Sequence, residues 1–237
     1  MEVATVLCNH STPKLPLELL LEEVLSHIDP EIDLATLKAL STTCRALLSP
    51  CQRQLFAKIA PPVYTTNAPR RRDLLLRQLL MESSPHLATY VREVRFKFLY
   101  ANLSPVVFTD ILPILHNVEI LFVFCNGTGN WLRSTAEWQA ALFHIIRCPS
   151  LKELHLSYIT DFPIPELSPS CFNVLKLRGI IIALKGRPVP PLPLSSLRIL
   201  DVTPWRQPLG SNFRSLLAIA PNLEHLLYHG ALYIKTS

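Results

Sequence analysis

Along residues 15–59 the apolar positions fall into helical stripes. Leu17, Leu20, Leu21, Val24, Leu25 and Ile28 recur at i, i+3, i+4, i+7, i+8 and i+11, which puts all six on one face of a single helix. Pro16 suits the first turn, where a missing N–H costs nothing. Glu18, Glu22 and Glu23 lie off the stripe, with Glu18 near the positive end of the helix dipole. Asp29-Pro30 stops the helix, because a residue before proline is pushed out of the α region. Asp33 can cap a second helix carrying Leu34, Leu37 and Leu40. A third helical stretch starts near Thr42, with Pro50 interrupting or restarting it. Leu55, Phe56 and Ile59 then give a further apolar edge. About 45 residues bury only a small core, so this leucine-rich surface either seeks a partner or caps the downstream domain.

Beyond a proline- and arginine-rich linker at 61–72, Asp73 can cap a helix running to about Glu82, with Leu75, Leu76, Leu79 and Leu80 on its apolar side. A phrase of the form apolar-x-x-apolar-x-apolar follows and recurs. It begins at Val91, Val118, Leu151, Phe172, Leu197 and Leu223. Four of the five intervals lie within roughly 20 to 29 residues, the period of leucine-rich repeats. Cys148-Pro149-Ser150, Leu194-Ser195-Ser196 and Ala220-Pro221-Asn222 form similar lead-ins. The eighth residue after each phrase opens is Asn only at Asn126, so a regular asparagine ladder inside the bends is not expected. Between phrases, Ser134-Thr135-Ala136-Glu137 reads as a capping box before a helix with Trp138, Ala141, Leu142, Ile145 and Ile146. Val106 to Leu115 reads as a shorter helix cut by Pro113, and Phe213 to Ile219 as another. The proline-rich stretch from Asp161 to Pro169 reads as non-helical.

Side chains alternate between the faces of a strand. If the phrase residues point inward, their neighbours form a ladder on the other face. Arg95, Phe122, Phe124, His155, Lys176 and Asp201 are the candidate target-binding residues on that ladder. Val118 to Phe124 is apolar on both sides except at Glu119. Either another element covers its outer face, which continuous apolar strands commonly require, or it offers a sticky patch. Arg187-Pro188-Val189-Pro190-Pro191-Leu192-Pro193 is either a stiff loop or a polyproline ligand. The tail Ala231-Leu232-Tyr233-Ile234 can fold over the last phrase as an edge strand; otherwise that end meets a partner or the array is shortened.

At 49% apolar and 17% charged residues the chain is not mostly disordered. No apolar run reaches the roughly 18 residues of a membrane span, and the first residues lack a leader pattern. The six cysteines show no paired or zinc spacing and are expected to be reduced. A net charge of +5 raises nucleic-acid binding, but Arg70-Arg71-Arg72 is the only tight basic run and no aromatic platform flanks it. No nucleic-acid or membrane partner is therefore expected. Hydrolase, metalloprotease and phosphate-cradle motifs are absent, and Gly127-Thr128-Gly129 reads as a loop. No catalytic residue, metal site or cofactor is expected.

Leu15-Pro16-Leu17-Glu18-Leu19-Leu20, then Asp33-Leu34, Leu37, Leu40-Ser41 and Cys44-Arg45, resemble an F-box. Ala46-Leu47-Leu48 follows where many F-boxes carry a tryptophan. The resemblance covers about a fifth of the chain, and with the phrases it is similar to fungal-type F-box proteins with irregular leucine-rich repeats. It implies a flexible N-terminus at 1–12, an F-box at 13–60, the linker at 61–72 and a repeat-like solenoid at 73–237. The expected fold is α/β: a three-helix F-box, then a short irregular solenoid with a parallel sheet. The resemblance further implies that Leu15, Pro16, Leu19, Leu20, Val24, Leu25 and Ile28 dock a Skp-type adaptor and, through it, a cullin ubiquitin ligase. The repeats would hold an unidentified target protein, in the cytosol or nucleus. The alternative is a repeat-type interaction scaffold without ligase association.

Overall fold

The structure is a computed structural model that describes residues 34–43, 45–61, 70–98, 105–167, 170–179, 181–182, 193–203 and 217–229. The side chains of residues 46, 126–128, 165 and 181–182 fall outside that description. So do the first predicted helix with its adaptor-docking residues Leu15, Pro16, Leu19, Leu20, Val24, Leu25 and Ile28, most of the linker, and residues 187–192 and 231–234. The chain divides into two compact units, Met1–Leu55 and Phe56–Ser237. No helix among the described residues is long and apolar enough to cross a membrane.

In the first unit, α1 (Leu34–Thr43) is followed by α2 (Arg45–Phe56). Leu37 and Cys51 are fully buried, with Leu40, Leu47 and Leu55 packed around them. Leu34 is instead exposed. Pro50 does not interrupt the helix as expected; α2 runs through it. The lost N–H bond is offset by the packing of Leu47, Cys51 and Leu55, which lie on both sides of the proline along the helix.

The second unit is α/β, built on one eight-stranded parallel sheet. Its strands are β1 (Lys58–Ile59), β2 (Glu93–Phe98), β3 (Ile120–Asn130), β4 (Glu153–Phe162), β5 (Val174–Arg178), β6 (Ile181–Ile182), β7 (Ile199–Thr203) and β8 (His225–Tyr228). Order in space follows order in sequence, β1-β2-β3-β4-β5-β7-β8, with β6 pairing β4 beside this path. Lys58 and Ile59, expected at the end of the helical module, instead form the first strand and pair with Glu93 and Val94.

The recurring phrases sit in register. Val94, Leu121, Leu154, Leu175, Leu200 and Leu226 are successive cross-strand partners. One residue pair further on, Phe96, Val123, Leu156, Leu177, Val202 and Tyr228 align the same way. Through Val202 the phrase residues are buried; the last phrase, on the edge, leaves Leu226 exposed. The strands β3, β4, β5, β7 and β8 also open on the same main-chain device. Two consecutive N–H groups donate to one carbonyl of the preceding strand's entry: Glu119 and Ile120 to Arg92, Lys152 and Glu153 to Glu119, Asn173 and Val174 to Lys152, Arg198 and Ile199 to Asn173, and Glu224 and His225 to Arg198.

At four of the six phrases the bend is satisfied by the residue just before the phrase opens, the last residue of the lead-in. Asn117 donates to the Thr89 carbonyl at 2.9 Å, Ser150 to those of His116 and Val118, Ser196 to Ser170 at 2.9 Å, and Asn222 to Ser195 at 2.7 Å. At these four turns a small polar group ties the chain to the turn before it, the role that asparagine eight residues into the phrase would otherwise fill.

Helices cover the phrase side of the sheet. These are α3 (Arg71–Gln78), α4 (Val106–Ile111) and α5 (Ala136–Ile146). The α3 helix starts before Asp73, taking Arg71 and Arg72 out of the predicted linker. Asp73 lies buried in its first turn, where the dipole favours a carboxylate. A π-helical turn over Leu79–Ser83 rotates the apolar face, so Leu80 is fully buried while Leu75 is exposed, contrary to the expected stripe. A 3₁₀ turn, Leu112–Ile114, carries Pro113 after α4. Thr135, not Ser134, caps α5 by accepting from the Trp138 N–H at 3.3 Å. Ser134 is already engaged, donating to the Trp131 carbonyl at 2.6 Å. Ile164–Leu167, expected to be non-helical, forms a 3₁₀ turn. Gly127-Thr128-Gly129, expected as a loop, continues β3 across an irregularity in the pairing between Phe124 and Gly129.

Candidate functional site on the open sheet face

The alternation that buries the phrase residues turns their neighbours to the opposite face, in cross-strand rows set by the register. The row nearest the strand starts runs Glu93, Ile120, Glu153, Val174 and Ile199. The middle row runs Arg95, Phe122, His155, Lys176 and Asp201. The third, at the carboxyl ends, runs Lys97, Phe124, Ser157, Arg178 and Thr203. Arg95, Phe122, Phe124, His155, Lys176 and Asp201, singled out from the sequence, all line one groove of about 270 Å³. Lys97 and Arg178, which stand on the same predicted ladder beside the six candidates, also line it. Their signal was the same period-two alternation, carried one pair further along the strand.

Charge is partitioned across these rows. Glu93 accepts a hydrogen bond from Arg95 and lies 3.8 Å from Lys58 Nζ. Glu153 Oε2 lies 3.0 Å from His155 Nε2 and 3.7 Å from Lys176 Nζ. Asp201 Oδ1 lies 3.3 Å from His229 Nε2. The carboxylates therefore occupy the middle-row cations. Among the described residues Lys97 and Arg178 make neither an ion pair nor a hydrogen bond, so the third row carries uncompensated positive charge.

The aromatic centre is braced from the same face. The Arg95 guanidinium lies 4.5 Å from the centroid of Phe122, and the His155 ring centroid lies 4.0 Å away. Phe124 meets Tyr158 edge-on at 5.4 Å. On the outer face of the apolar strand β3, Ile120, Phe122 and Phe124 are half-buried. Gly179 follows Arg178 at the rim with φ +60°, and a Cβ there would come within 2.6 Å of Tyr158 Cδ1. Glycine is thus required for close approach and for backbone conformation at once.

Burial pushes the His155 pKa below its ordinary 6.5; the Glu153 hydrogen bond opposes this, while Lys176 and Arg95 reinforce it. Between 6.5 and the lower folded value the native protein binds fewer protons than the unfolded chain. The stabilising contribution is therefore complete above 6.5 and is lost as pH falls through the folded value. The midpoint of urea unfolding should fall on going from about pH 7.5 to about pH 5, and His155→Gln should flatten part of that fall. An unchanged slope in the variant would contradict this origin.

Four described cysteines, Cys51, Cys125, Cys148 and Cys171, form no disulfide. Burial pushes the Cys125 thiol up to about 12, so it stays protonated and unreactive at neutral pH. Cys171 is exposed. Alkylation followed by peptide mass mapping should modify Cys171 in the folded protein and Cys125 only after denaturation. Cys148 lies beside His116 and His144, but its thiol donates to the His116 main-chain carbonyl at 3.1 Å and not to an imidazole. Among the described residues no group of three or more His, Cys, Asp or Glu side chains could hold a metal ion.

No protein-family model matches the chain, and no curated protein matches it either. The groove must therefore be interpreted from its own geometry. A volume of about 270 Å³ lies below the several hundred Å³ usual for a pocket that encloses a small-molecule ligand. Its floor crosses several strands, presenting alternate side chains at strand spacing, an arrangement suited to a length of polypeptide.

Proposed function

We propose that the protein is a substrate-recruiting subunit of a Skp–cullin–F-box ubiquitin ligase. In this reading its first unit is an F-box, and its second is a short, irregular leucine-rich-repeat solenoid. The observation that carries the target-binding half is the convergence of Arg95, Phe122, Phe124, His155, Lys176 and Asp201 on one groove. The solenoid reading is supported by the six in-register phrases on β2, β3, β4, β5, β7 and β8 and by the main-chain bonds repeated at the entries of successive phrase strands. The F-box reading rests on the sequence of residues 15–45. It is supported by the division of the chain at Leu55, because a cap continuous with the sheet would belong to the second unit. That edge of the sheet is taken by Lys58–Ile59.

The mechanism is proximity. The first unit docks the adaptor, the second holds a target, and the target's lysines are kept at high effective concentration near the charged ubiquitin carrier. The chain itself supplies no reacting group and needs no cofactor. It would act in the cytosol or nucleus, where adaptor and cullin operate. Incubating the purified chain with a Skp-type adaptor and separating the mixture by size tests this reading. Co-elution is expected; an adaptor that elutes alone favours an interaction scaffold outside the ligase.

A further inference from the structure

We infer that the carboxyl-end rim of the groove binds an extended acidic segment of a partner protein, read as acidic-x-apolar-x-acidic. This deepens the proposed function by naming the chemistry of the target, and it rests on that reading only for the word target.

Lys97 and Arg178 stand in the same cross-strand row, with Phe124 and Ser157 between them. Both are exposed, and among the described residues both lack an anionic partner. The carboxylates nearby are already engaged with Arg95, Lys176, His155 and His229. A row with two unmatched cations and no anion is complementary to negative charge. Its spacing sets the spelling. From β2 to β5 is three strand-to-strand steps of about 4.8 Å, or about 14 Å. An extended chain advances about 3.4 Å per residue, so two acidic side chains that reach both cations are about four residues apart. Side chains at i, i+2 and i+4 of an extended segment point the same way. The residue between the acids therefore faces Phe124 and should be apolar. The segment crosses the strands of the sheet and does not extend it.

A nucleic-acid strand fits less well. Arg95 and His155 already cover Phe122, leaving Phe124 as a single ring and no run of aromatic platforms for successive bases. Glu93, Glu153 and Asp201 would repel a phosphate chain lying deeper in the groove.

The test uses fluorescence anisotropy with the full chain and four labelled probes. These are a peptide centred on Glu-Ala-Leu-Ala-Glu, one with lysine for both glutamates, one with the glutamates adjacent, and a single-stranded oligonucleotide. The first peptide should bind at least about tenfold tighter than the lysine peptide and several-fold tighter than the adjacent-glutamate peptide. Lys97→Glu with Arg178→Glu should remove at least about tenfold of that affinity, and the double glutamine variant should remove part of it. Arg71→Glu with Arg72→Glu, an equal charge change on exposed α3 positions, should leave binding intact. No binding, equal binding of the acidic and lysine peptides, tighter binding of the oligonucleotide, or equal loss in the α3 variant would each overturn the inference. Adaptor co-elution is scored on the same samples. Peptide failure with adaptor binding intact sinks only the acidic-segment inference, and the converse sinks only the ligase reading.

Discussion

Phe96→Ala is expected to destabilise the second unit by about 3–5 kcal/mol, the largest effect of any single substitution in the sheet. Phe96 is fully buried in the second strand. Its ring meets Trp138 of α5 edge-on at 4.9 Å and Phe108 of α4 edge-on at 5.1 Å, and it stacks with Phe98 at 6.0 Å. One side chain thus joins a strand to two helices. Removing it deletes those contacts and leaves a cavity walled by rigid aromatic rings, which cannot collapse into the space as aliphatic side chains would. Leu132, at 71% exposure, supplies the contrast: Leu132→Ala should change stability by no more than about 0.5 kcal/mol. Urea unfolding followed by near-UV circular dichroism reads both. A loss below about 1 kcal/mol for Phe96→Ala would mean that strand and helices are not packed as described.

The same packing explains why so much of the sheet was legible in the sequence. A strand buried on one face must put large apolar groups at fixed alternate positions, so Val91, Val94 and Phe96 and their successors announce both strand and facing. The site followed from the same alternation, since whatever stands between buried phrase residues must face outward. What escaped was set by contacts between distant segments. The rotation of the helix at Leu79–Ser83 buries Leu80 and exposes Leu75, which helical spacing alone cannot foresee. Serine and asparagine before four of the phrases look like ordinary turn residues. Their bonds to carbonyls about a repeat away appear only once the strands are stacked. The extension of β3 through Gly127–Gly129 was hidden by its glycines. At Gly129 the reason is close approach, since a Cβ there would come within 2.5 Å of Cys125 Sγ.

In the first unit, Leu20→Asp is expected to weaken adaptor binding by at least about a hundredfold. The predicted first helix puts Leu20 on one stripe with Leu17, Leu21, Val24, Leu25 and Ile28. Burying that leucine against a partner contributes about 1.5–3 kcal/mol, and a carboxylate in its place adds the cost of desolvating a charge without a counter-ion. Glu23→Lys, off the stripe, should leave binding within a few-fold, so the two variants separate loss of an apolar contact from a change in charge. Because Leu20 belongs to the first unit, the urea transition of the sheet should be the same in Leu20→Asp as in the parent chain.

That pair of readings, taken on the whole chain, bears most directly on whether this is a connector between adaptor and target. Titrating a Skp-type adaptor into parent and Leu20→Asp proteins by calorimetry should give a one-to-one complex with the parent. The variant should give no measurable heat while its sheet unfolds at the parent's urea midpoint. A parent chain that does not bind the adaptor, or a variant that binds it equally well, would contradict the account.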